Sequence, residues 1–413
     1  MVHRVIHPVF LHRIKEWVFL LILVIGGCSP HKSNKIPEHL KGLKNLTVYP
    51  RNPEPLNDIK MTREVSFGDT DDVILGPRIQ NISVDNRGRV FIADVKQNTI
   101  HVYNSDGTYL QDIGREGRGP GEFQRIQDFK IHNANIYILD SRLSRISVFE
   151  LNTFHLEATY NLSFGKRQND KPSWLNKAQK KGLFYRPSNI YVRRDGSYLV
   201  LFSDNSVARA NNINGRTFEA SKFNPNKNKY TANDLLSFRW TGQVLIHKDN
   251  GGMIVMFGVP YKRSSKFDFN NGSFVLGWTD EMLFKFFDQD GAYQHAFYYP
   301  YSNIPLHMED VFAYYEHAGN KVTQAIRNDD LPDTWPAFDA LKMDDENRLW
   351  VSTIVDNQKM RQWWVMKSNG QLIAQFNWPR SKPIQVINND YMYTKEKNND
   401  GLEEIVRYRI EMK

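Results

Sequence analysis

Short apolar runs separated by turn residues recur along most of this chain. The clearest group contains four runs rich in Ile, Val, Tyr and Phe, at Ile82–Val84, Val90–Ala93, Thr99–Tyr103 and Tyr109–Ile113. Such residues favour β-strands, and the Asp-Asn-Arg-Gly and Asn-Ser-Asp-Gly sequences between the runs favour tight turns. The pattern predicts a four-stranded antiparallel sheet. Because such a unit has two faces and cannot bury both alone, it needs further copies of itself.

Five weaker copies of this unit follow along the sequence. The second begins at Phe129, the third at Ile190, the fifth at Leu341 and the sixth at Ile384, while the fourth is assigned to Val244–Phe257 followed by Leu283–Tyr293. The third copy is the weakest, since residues 204–240 show no clear pattern. Six such units predict an all-β, six-bladed propeller of four-stranded antiparallel sheets, each packed on its neighbours.

The two ends of the repeat region each carry an anomaly. The sixth copy is one strand short, and the strand candidate Met61–Phe67 has no hairpin partner nearby. Radial repetition protects sheet edges only if the ring closes. We therefore predict that Met61–Phe67 completes the sixth sheet. The alternative is a frayed C-terminus and a stray strand.

The first copy and the connection after it carry a family resemblance. The sequence Gly114-Arg-Glu-Gly-Arg-Gly-Pro-Gly-Glu-Phe123 resembles the Gly-Pro-Gly-x-Phe connection of NHL-type propeller blades. The region from about residue 61 to residue 413 resembles the six-bladed, TolB-like propeller lipoproteins of environmental and gut bacteria. The resemblance implies the propeller fold and an export route, and it implies no uniform activity.

The first 27 residues have the composition of a secretory signal. Basic residues precede a nine-residue apolar run, Trp17–Ile25, which is too short to span a bilayer because that takes about 20 residues. Ile25-Gly-Gly-Cys28 resembles a bacterial lipobox, which implies cleavage before Cys28 and lipidation of that residue. The alternative is an ordinary signal peptide. We expect a signal peptide at 1–27, a lipidated Cys and flexible tether at 28–60, and the propeller at 61–413.

Cysteine content and net charge limit the chemistry and the partners that we expect for this protein. Cys28 is the single Cys among 413 residues, so no intrachain disulfide forms and the folded body has no thiol chemistry. The net charge is +8, and the leader, with three basic residues and one acidic residue, contributes only two of these charges. This balance favours anionic surfaces or ligands without identifying one. Nucleic acid is not an expected partner of an exported protein.

Two partly helical insertions break the spacing of the copies. Lys166–Arg186 is basic and contains a short helical pattern, and Tyr301–Trp335 contains a longer one. Each lies between the last strand of one copy and the first strand of the next. In propellers of this type, those connections emerge on the face where the central channel usually binds its ligand. The insertions are therefore either functional loops or covers for exposed sheet edge.

Three aspartates, Asp94, Asp140 and Asp204, each close the second strand of a copy. Around a ring, their carboxylates would lie near one rim, and a metal-dependent lactonase or lyase could use such oxygens. The alternative is structural, because Asp at a strand end accepts backbone hydrogen bonds from the following turn. The three later copies carry no Asp at the matching place, which argues against a six-fold carboxylate site.

Four arginines lie in the connections that enter the first and second copies. Arg78 precedes the first copy, and Arg115, Arg118 and Arg125 flank the Gly-Pro-Gly sequence. On a ligand-binding face, their guanidinium groups could bind carboxylate or sulfate bidentately. The alternative is a solvated basic loop.

The nine Trp residues are expected mainly to pack between sheets. No catalytic residue and no metal ligand is predicted, since no known catalytic or phosphate-binding motif is present.

The sequence therefore predicts a lipid-anchored propeller at the cell envelope. Ser29 is not Asp, which by resemblance to other lipoproteins favours the outer membrane, with the protein facing the periplasm or the exterior. The first function hypothesis is a cofactor-free binding or scaffold module with a monomeric body, whose partner is a protein, peptide or glycan. The second is a metal-dependent lactonase or lyase, which would need a divalent cation. The sequence identifies neither ligand nor partner.

Overall fold

Six blades form a closed ring. The computed structural model describes residues 36–68, 73–76, 79–164, 171–206, 215–247, 254–315 and 318–413, and the structural statements below concern these ranges. Within them, each blade has four antiparallel strands, and the first strands of neighbouring blades lie against one another around a common centre. The protein is a six-bladed β-propeller, which confirms the predicted fold class.

The first half of the chain contains blades 1 to 3. A 3-10 helix, Glu38–Leu40, precedes β1 (Leu46–Val48) and β2 (Ile59–Phe67). Blade 1 contains β3 (Ile79–Val84), β4 (Val90–Asp94), β5 (Thr99–Tyr103) and β6 (Tyr109–Ile113), and a small parallel pair follows, β7 (Arg115–Glu116) and β8 (Glu122–Phe123). Blade 2 contains β9 (Ile126–His132), β10 (Asn135–Asp140), β11 (Arg145–Glu150) and β12 (Leu156–Asn161). After α1 (Ser173–Lys180), blade 3 contains β13 (Tyr185–Val192), β14 (Tyr198–Asp204), β15 (Thr217–Asn224) and β16 (Lys229–Arg239).

The second half contains blades 4 to 6. A two-stranded hairpin, β17 (Gln243–His247) and β18 (Ile254–Gly258), comes first. Blade 4 contains β19 (Ser265–Asn270), β20 (Ser273–Trp278), β21 (Met282–Asp288) and β22 (Tyr293–Tyr299), and α2 (Met308–Tyr314) and α3 (Asn320–Arg327) follow it. Blade 5 contains β23 (Phe338–Met343), β24 (Leu349–Ile354), β25 (Met360–Met366) and β26 (Leu372–Pro379). Blade 6 contains β27 (Ile384–Asn388), β28 (Tyr391–Lys397) and β29 (Glu403–Met412), with β2 as its outer strand.

The N-terminal strand β2 closes the ring. It pairs antiparallel with the last strand β29, from Ile59 opposite Met412 to Phe67 opposite Ile405. The prediction that Met61–Phe67 completes the sixth sheet is therefore confirmed. Phe67 is fully buried and contacts Tyr103 of blade 1 and Tyr393 of blade 6, so the closing strand also fills the junction between the first and last blades.

The segment before β2 packs on the outside of the ring. Residues 36–58 belong to the part of the sequence that we assign to the tether. Leu40 is buried against blade 4, and β1 pairs parallel with β22 as a fifth strand of that sheet. Tyr49 stacks on Tyr299, with ring centres 4.7 Å apart, and its hydroxyl donates to the carbonyl of Asn369 in blade 5 at 3.2 Å. This described part of the predicted tether thus contacts blades 4 and 5 before it reaches blade 6. There Asp58 and Lys413 exchange backbone hydrogen bonds just before β2 begins.

The fourth blade differs from its predicted composition. The sequence pattern predicts its inner strands at Val244–Phe257, but β17 and β18 pair only with each other and form a separate hairpin in the described chain. The inner strands are β19 and β20, joined by Asn271 and Gly272, which both adopt positive φ. An Asn-Gly turn is a strong hairpin signal. The assignment of the fourth copy is therefore wrong in its first two strands and right in β21 and the start of β22.

All connections between successive blades emerge at one end of the ring, because each blade has an even number of antiparallel strands. We call this end the insertion face; among the described residues it carries 68, 73–76, 114–125, 162–164, 171–184, 240–247, 254–264, 300–315, 318–337 and 380–383. The two predicted partly helical insertions are confirmed as α1 and as α2 with α3, and the hairpin β17–β18 is a third insertion. No helix in the described ranges is long and apolar enough to cross a bilayer.

Neighbouring blades bury each other's apolar faces. Phe91 and Ile100 of blade 1 pack with Ile136 and Ile138 of blade 2 in one cluster, for example, and all four are fully buried. Each pair of blades shares a core of this kind because one sheet cannot bury both of its faces alone. The core therefore lies between the blades and leaves the ends of the ring to polar residues and insertions.

Candidate functional site

The carboxylates of Asp94 and Asp140 are fully buried, and each accepts three backbone hydrogen bonds. One oxygen accepts from two N–H groups of the following turn, at 2.8 and 3.1 Å for Asp94 and at 2.9 Å twice for Asp140. The other oxygen accepts from a backbone N–H of the connection that enters the blade. For Asp94 this donor is Gly76 at 3.2 Å, and for Asp140 it is Gln124 at 2.7 Å. Asp204, also buried, accepts from the N–H two residues later at 2.9 Å. These are the hydrogen bonds that the structural alternative predicts, while a ligand role stays a prediction.

Asp140→Ala is expected to destabilise the fold by about 3 kcal/mol, because it leaves three buried backbone donors without an acceptor. Asp140→Asn keeps one acceptor oxygen and should cost less. The midpoint of urea unfolding measures both effects. Asp106→Ala, in an exposed turn, serves as the control and should shift the midpoint much less. Equal shifts for Asp140→Ala and Asp106→Ala would show that the buried carboxylate does not hold the connection.

The predicted arginines of the Gly-Pro-Gly connection lie on the insertion face with exposed side chains. Arg115 forms an ion pair with Glu122 at 2.9 Å, and Glu122 also accepts from the backbone N–H of Arg118 at 3.0 Å. Arg125 is exposed on the same loop. These three residues lie near blades 1 and 2 and do not line the pocket described next. Arg78 and Cys28 lie outside the described residues, so the proposed roles of all these residues stay predictions.

A pocket of about 530 Å³ opens on the insertion face, on the side of blades 4 to 6. The insertion-face ends of three inner strands contribute to it, through Lys266 of β19, Asp339 of β23 and Ile384 of β27. The hairpin β17–β18 forms part of its rim, and Tyr314, the last residue of α2, contributes from the longer predicted insertion. The pocket therefore lies at the mouth of the central channel, beneath two of the insertions.

Positive charge dominates the ionisable groups of the pocket. Among the described residues, four cationic side chains line it: Lys266, Arg361, Arg380 and Lys382. Asp339 is the one acidic residue of this described lining, and its carboxylate accepts from Nε of Arg361 at 2.7 Å. Lys382 is neutralised by Glu396, 2.6 Å away, which lies behind the lining. The four cations thus face two carboxylates, and the pocket keeps an excess of positive charge.

The two guanidinium groups retain unused hydrogen-bond donors. Arg361 is 4% exposed, and its Nη2 finds no hydrogen-bond partner in the described part of the chain. Nη2 of Arg380 is likewise without a partner there, while its Nη1 donates to the carbonyl of Gln358 at 3.4 Å. A buried donor without an acceptor costs about 1–3 kcal/mol. An anionic ligand would supply the acceptors that the protein itself does not.

Burial and mutual repulsion disfavour these charges in the free protein. Burial lowers the pKa of Arg380, and the nearby Arg361 lowers it further, whereas the phenol groups of Tyr314 and Tyr315 and the carboxylate of Asp339 oppose the shift. The ring of Tyr314 lies 3.6 Å from the guanidinium carbon of Arg380, a close cation–π contact. Burial also lowers the pKa of Lys266, and Asp339 partly compensates. Lys266 is partly exposed as a whole residue, although protein surrounds its ammonium group.

Aromatic side chains form the walls of the pocket. Trp240 and Phe218 lie on the blade 3 side, with ring centres 5.3 Å apart, and both line it. Trp378 lies on the blade 6 side, where its indole N–H donates to the carbonyl of Lys382 at 2.7 Å and its ring packs edge-on against Tyr408. These contacts fix the orientation of the Trp378 ring. The pocket thus combines rigid aromatic surfaces with unpaired cationic donors.

The sequence did not identify this pocket. Lys266 lies in a strand that the sequence pattern does not predict, Arg361 lies in β25 of blade 5, and Arg380 and Lys382 lie in the connection after that blade. The only local signal was the basic connection Pro379-Arg-Ser-Lys-Pro383. The expectation that Trp residues pack between sheets is confirmed for Trp350, which is fully buried, although Trp363 also reaches the pocket wall.

Among the described residues, no group of three or more His, Cys, Asp or Glu side chains is placed to hold a metal ion.

Comparisons with known proteins agree on the fold. The DUF5128 family model, described as a 6-bladed beta-propeller, matches residues 69–248, which is fewer than half of the chain. The family description and the ring of blades agree. The chain is a six-bladed β-propeller protein. No curated protein matches the sequence.

Two solved structures share this architecture at low sequence identity. A protein of Bacteroides fragilis NCTC 9343, named as exported, is 12% identical, with a TM-score of 0.51 and coverage of 89% of this chain and 99% of its own. A member of the DUF4221 family from Bacteroides vulgatus ATCC 8482 is 10% identical, with a TM-score of 0.50 and coverage of 86% of this chain and 99% of its own. At these identities the similarity extends to the fold alone.

Proposed function

We propose that this propeller is a binding protein of the cell envelope, and that it captures an anionic ligand in the pocket at the channel mouth. The observation that carries the proposal is the pair Arg361 and Arg380, which repel each other yet lie together with unused donors on a pocket wall. A fold that only needed stability would gain nothing from this arrangement. The pocket volume is in the range typical of small-ligand sites, roughly 300–1,000 Å³. The ligand is therefore a small molecule or the end group of a larger partner.

The N-terminal sequence and the named neighbour support the envelope location. The signal-like leader and the lipobox-like Ile25-Gly-Gly-Cys28 are features of exported lipoproteins, and one protein of similar fold is named as exported. We propose lipidation at Cys28 and an outer-membrane location on these grounds, together with the NHL-type, TolB-like resemblance. Metabolic labelling with a radioactive fatty acid tests the lipid: wild type should incorporate it, and incorporation by Cys28→Ala would contradict the proposal.

Isothermal titration of the full-length protein with sodium sulfate tests the binding function. We expect saturable binding of sulfate against a sodium chloride reference of equal ionic strength. A parallel titration with calcium chloride, followed by an assay with a lactone substrate, tests the enzyme alternative. Calcium-dependent lactone hydrolysis without any sulfate or carboxylate binding would overturn the proposal.

Sulfate affinity is expected to fall as the pH rises through the lowered pKa of Lys266. The folded protein holds this proton less tightly than an ordinary lysine with a pKa of 10.5. Its charged form therefore costs folding free energy below the folded-state pKa, and this cost is relieved as the pH rises towards 10.5. A bound anion favours the ammonium form, so binding weakens once the proton leaves. Isothermal titration at a series of pH values checks this.

Lys266→Met should bind sulfate more weakly at neutral pH and should lose most of the pH dependence in this window. The matched control is Lys342→Met, because Lys342 is a second lysine on an inner strand whose pKa burial lowers, and it does not line the pocket. Its variant should keep the wild-type affinity and slope. The same slope in Lys266→Met as in wild type would contradict the assignment.

A further inference from the structure

The aromatic walls of the pocket limit which kinds of anion it can bind well. Trp240 and Trp378 are partly exposed in the pocket and come from its two sides, the connection after blade 3 and the end of blade 5. Indole faces of this kind bury apolar ring surface of a ligand while their edges stay polar. The binding site therefore suits an anion that carries a ring with one or more apolar faces, and a bare inorganic anion would leave both walls uncovered.

The neutral polar groups of the pocket limit further which ligands it can bind. Ser264, Ser265 and Ser352 line the site together with Gln243. The carbonyl oxygen of the Gln243 side chain is buried and finds no donor in the described ranges. A ligand made only of a ring and an acid would desolvate these groups without pairing them, which costs binding free energy for each group. A ligand with several hydroxyl groups would pair them.

We propose, building on the proposed function, that the ligand is a sugar acid: a pyranose ring that carries a carboxylate or a sulfate group. Arg361 and Arg380 bind the anionic group, the ring lies against Trp378 or Trp240, and the hydroxyl groups of the sugar exchange hydrogen bonds with Gln243 and the serines. The sugar is either free or the terminal unit of a glycan, since a pocket of about 530 Å³ holds roughly one or two such rings.

A matched set of small probes tests this by isothermal titration with the full-length protein. D-glucuronate and D-glucose 6-sulfate carry ring, hydroxyls and charge; D-glucose lacks the charge; cyclohexanecarboxylate lacks the hydroxyls. We expect one of the two charged sugars to bind at least tenfold more tightly than either of the other two probes. The methyl glycoside of glucuronate distinguishes a terminal glycan unit, which it resembles, from a free sugar acid.

The outcomes separate this inference from the proposed function. Cyclohexanecarboxylate that binds as tightly as glucuronate would overturn the sugar acid while leaving an anion-binding pocket. A glutamyl-phenylalanine dipeptide that binds more tightly than every sugar would also overturn it and identify a peptide site. No binding of any anion would overturn both proposals.

Gln243→Met adds a test of the hydroxyl contacts. The substitution preserves the shape of the side chain and removes its hydrogen-bonding groups. We expect about a fivefold loss of affinity for the charged sugar, as for one neutral hydrogen bond, and no change for cyclohexanecarboxylate. Gln111→Met, on the outer strand of blade 1, is the matched control and should leave both affinities unchanged. Equal losses for the two probes would show that Gln243 acts only by shaping the pocket.

Discussion

Phe67→Ala is expected to destabilise the propeller by about 3–5 kcal/mol, the largest effect of any single truncation that we propose. Phe67 is fully buried at the seam of the ring, with its ring centre 6.2 Å from that of Tyr103 in blade 1 and 6.3 Å from that of Tyr393 in blade 6. Alanine there leaves a cavity between the first and last blades. Because each blade depends on its neighbours to bury its faces, the loss is felt by the whole ring. The midpoint of urea unfolding, followed by tryptophan fluorescence, measures it.

The control for this prediction is Phe184→Ala, since the side chain of Phe184 is 51% exposed and should contribute within about 0.5 kcal/mol. A second variant separates the strand from the side chain. A chain that begins at residue 73 lacks β2 and exposes the backbone edge of β29, whereas a chain that begins at residue 59 keeps β2. Both chains lack β1, which covers the edge of β22, so the difference between them isolates β2, and we expect the chain from residue 73 to aggregate more than the chain from residue 59. A stable, monomeric protein without β2 would show that ring closure does not depend on the N-terminal strand.

Arg380→Met is expected to lower sulfate affinity by about 10- to 100-fold while changing stability little. A hydrogen bond to a charged group contributes about 1.5–3 kcal/mol, which corresponds to that range of affinity. Stability should be nearly unchanged because two effects oppose each other. The substitution removes the stacking of Arg380 on Tyr314, and it also removes a desolvated charge that Arg361 repels. Isothermal titration with sulfate and a thermal unfolding scan measure the two quantities.

Arg115→Met is the matched control on the same face of the ring. The side chain of Arg115 is 81% exposed and lies outside the pocket, so its loss should leave sulfate affinity unchanged. If both variants lost affinity equally, the binding would depend on the general positive charge of the protein. If Arg380→Met strongly destabilised the fold without affecting binding, Arg380 would be a structural residue.

The fourth blade shows where sequence reasoning failed and why. Val244–Phe257 has the apolar pattern of an inner hairpin, and the pattern correctly identifies two paired strands. It does not show which sheet these strands join, because that depends on contacts with distant residues such as Val311 and Ile326 of the helical insertion, with which Val244 shares a core. The Asn271-Gly272 turn between β19 and β20 was a local signal for the correct hairpin.

The aspartates show the opposite case, in which local chemistry was sufficient to predict the contact. An Asp at a strand end can reach the N–H groups two and three residues later without help from the rest of the fold, and Asp94 and Asp140 do so. Their third hydrogen bonds, to Gly76 and Gln124, join segments 16 or more residues apart. Those bonds follow from the way each connection enters its blade.

The sequence was sufficient to predict the number of blades, the closure by β2 and the positions of the helical insertions. The blade count and the insertions depend on short-range periodicity and on turn residues, and the closure follows from that count because the unpaired edge of the last sheet must be covered. The pocket, in contrast, could be found only from the tertiary structure. Lys266, Arg361 and Arg380 belong to two different blades and a connection, and they meet because the ring brings its insertion-face ends together. No spacing along the chain predicts such a meeting, since the physical cause is the packing of one blade on the next.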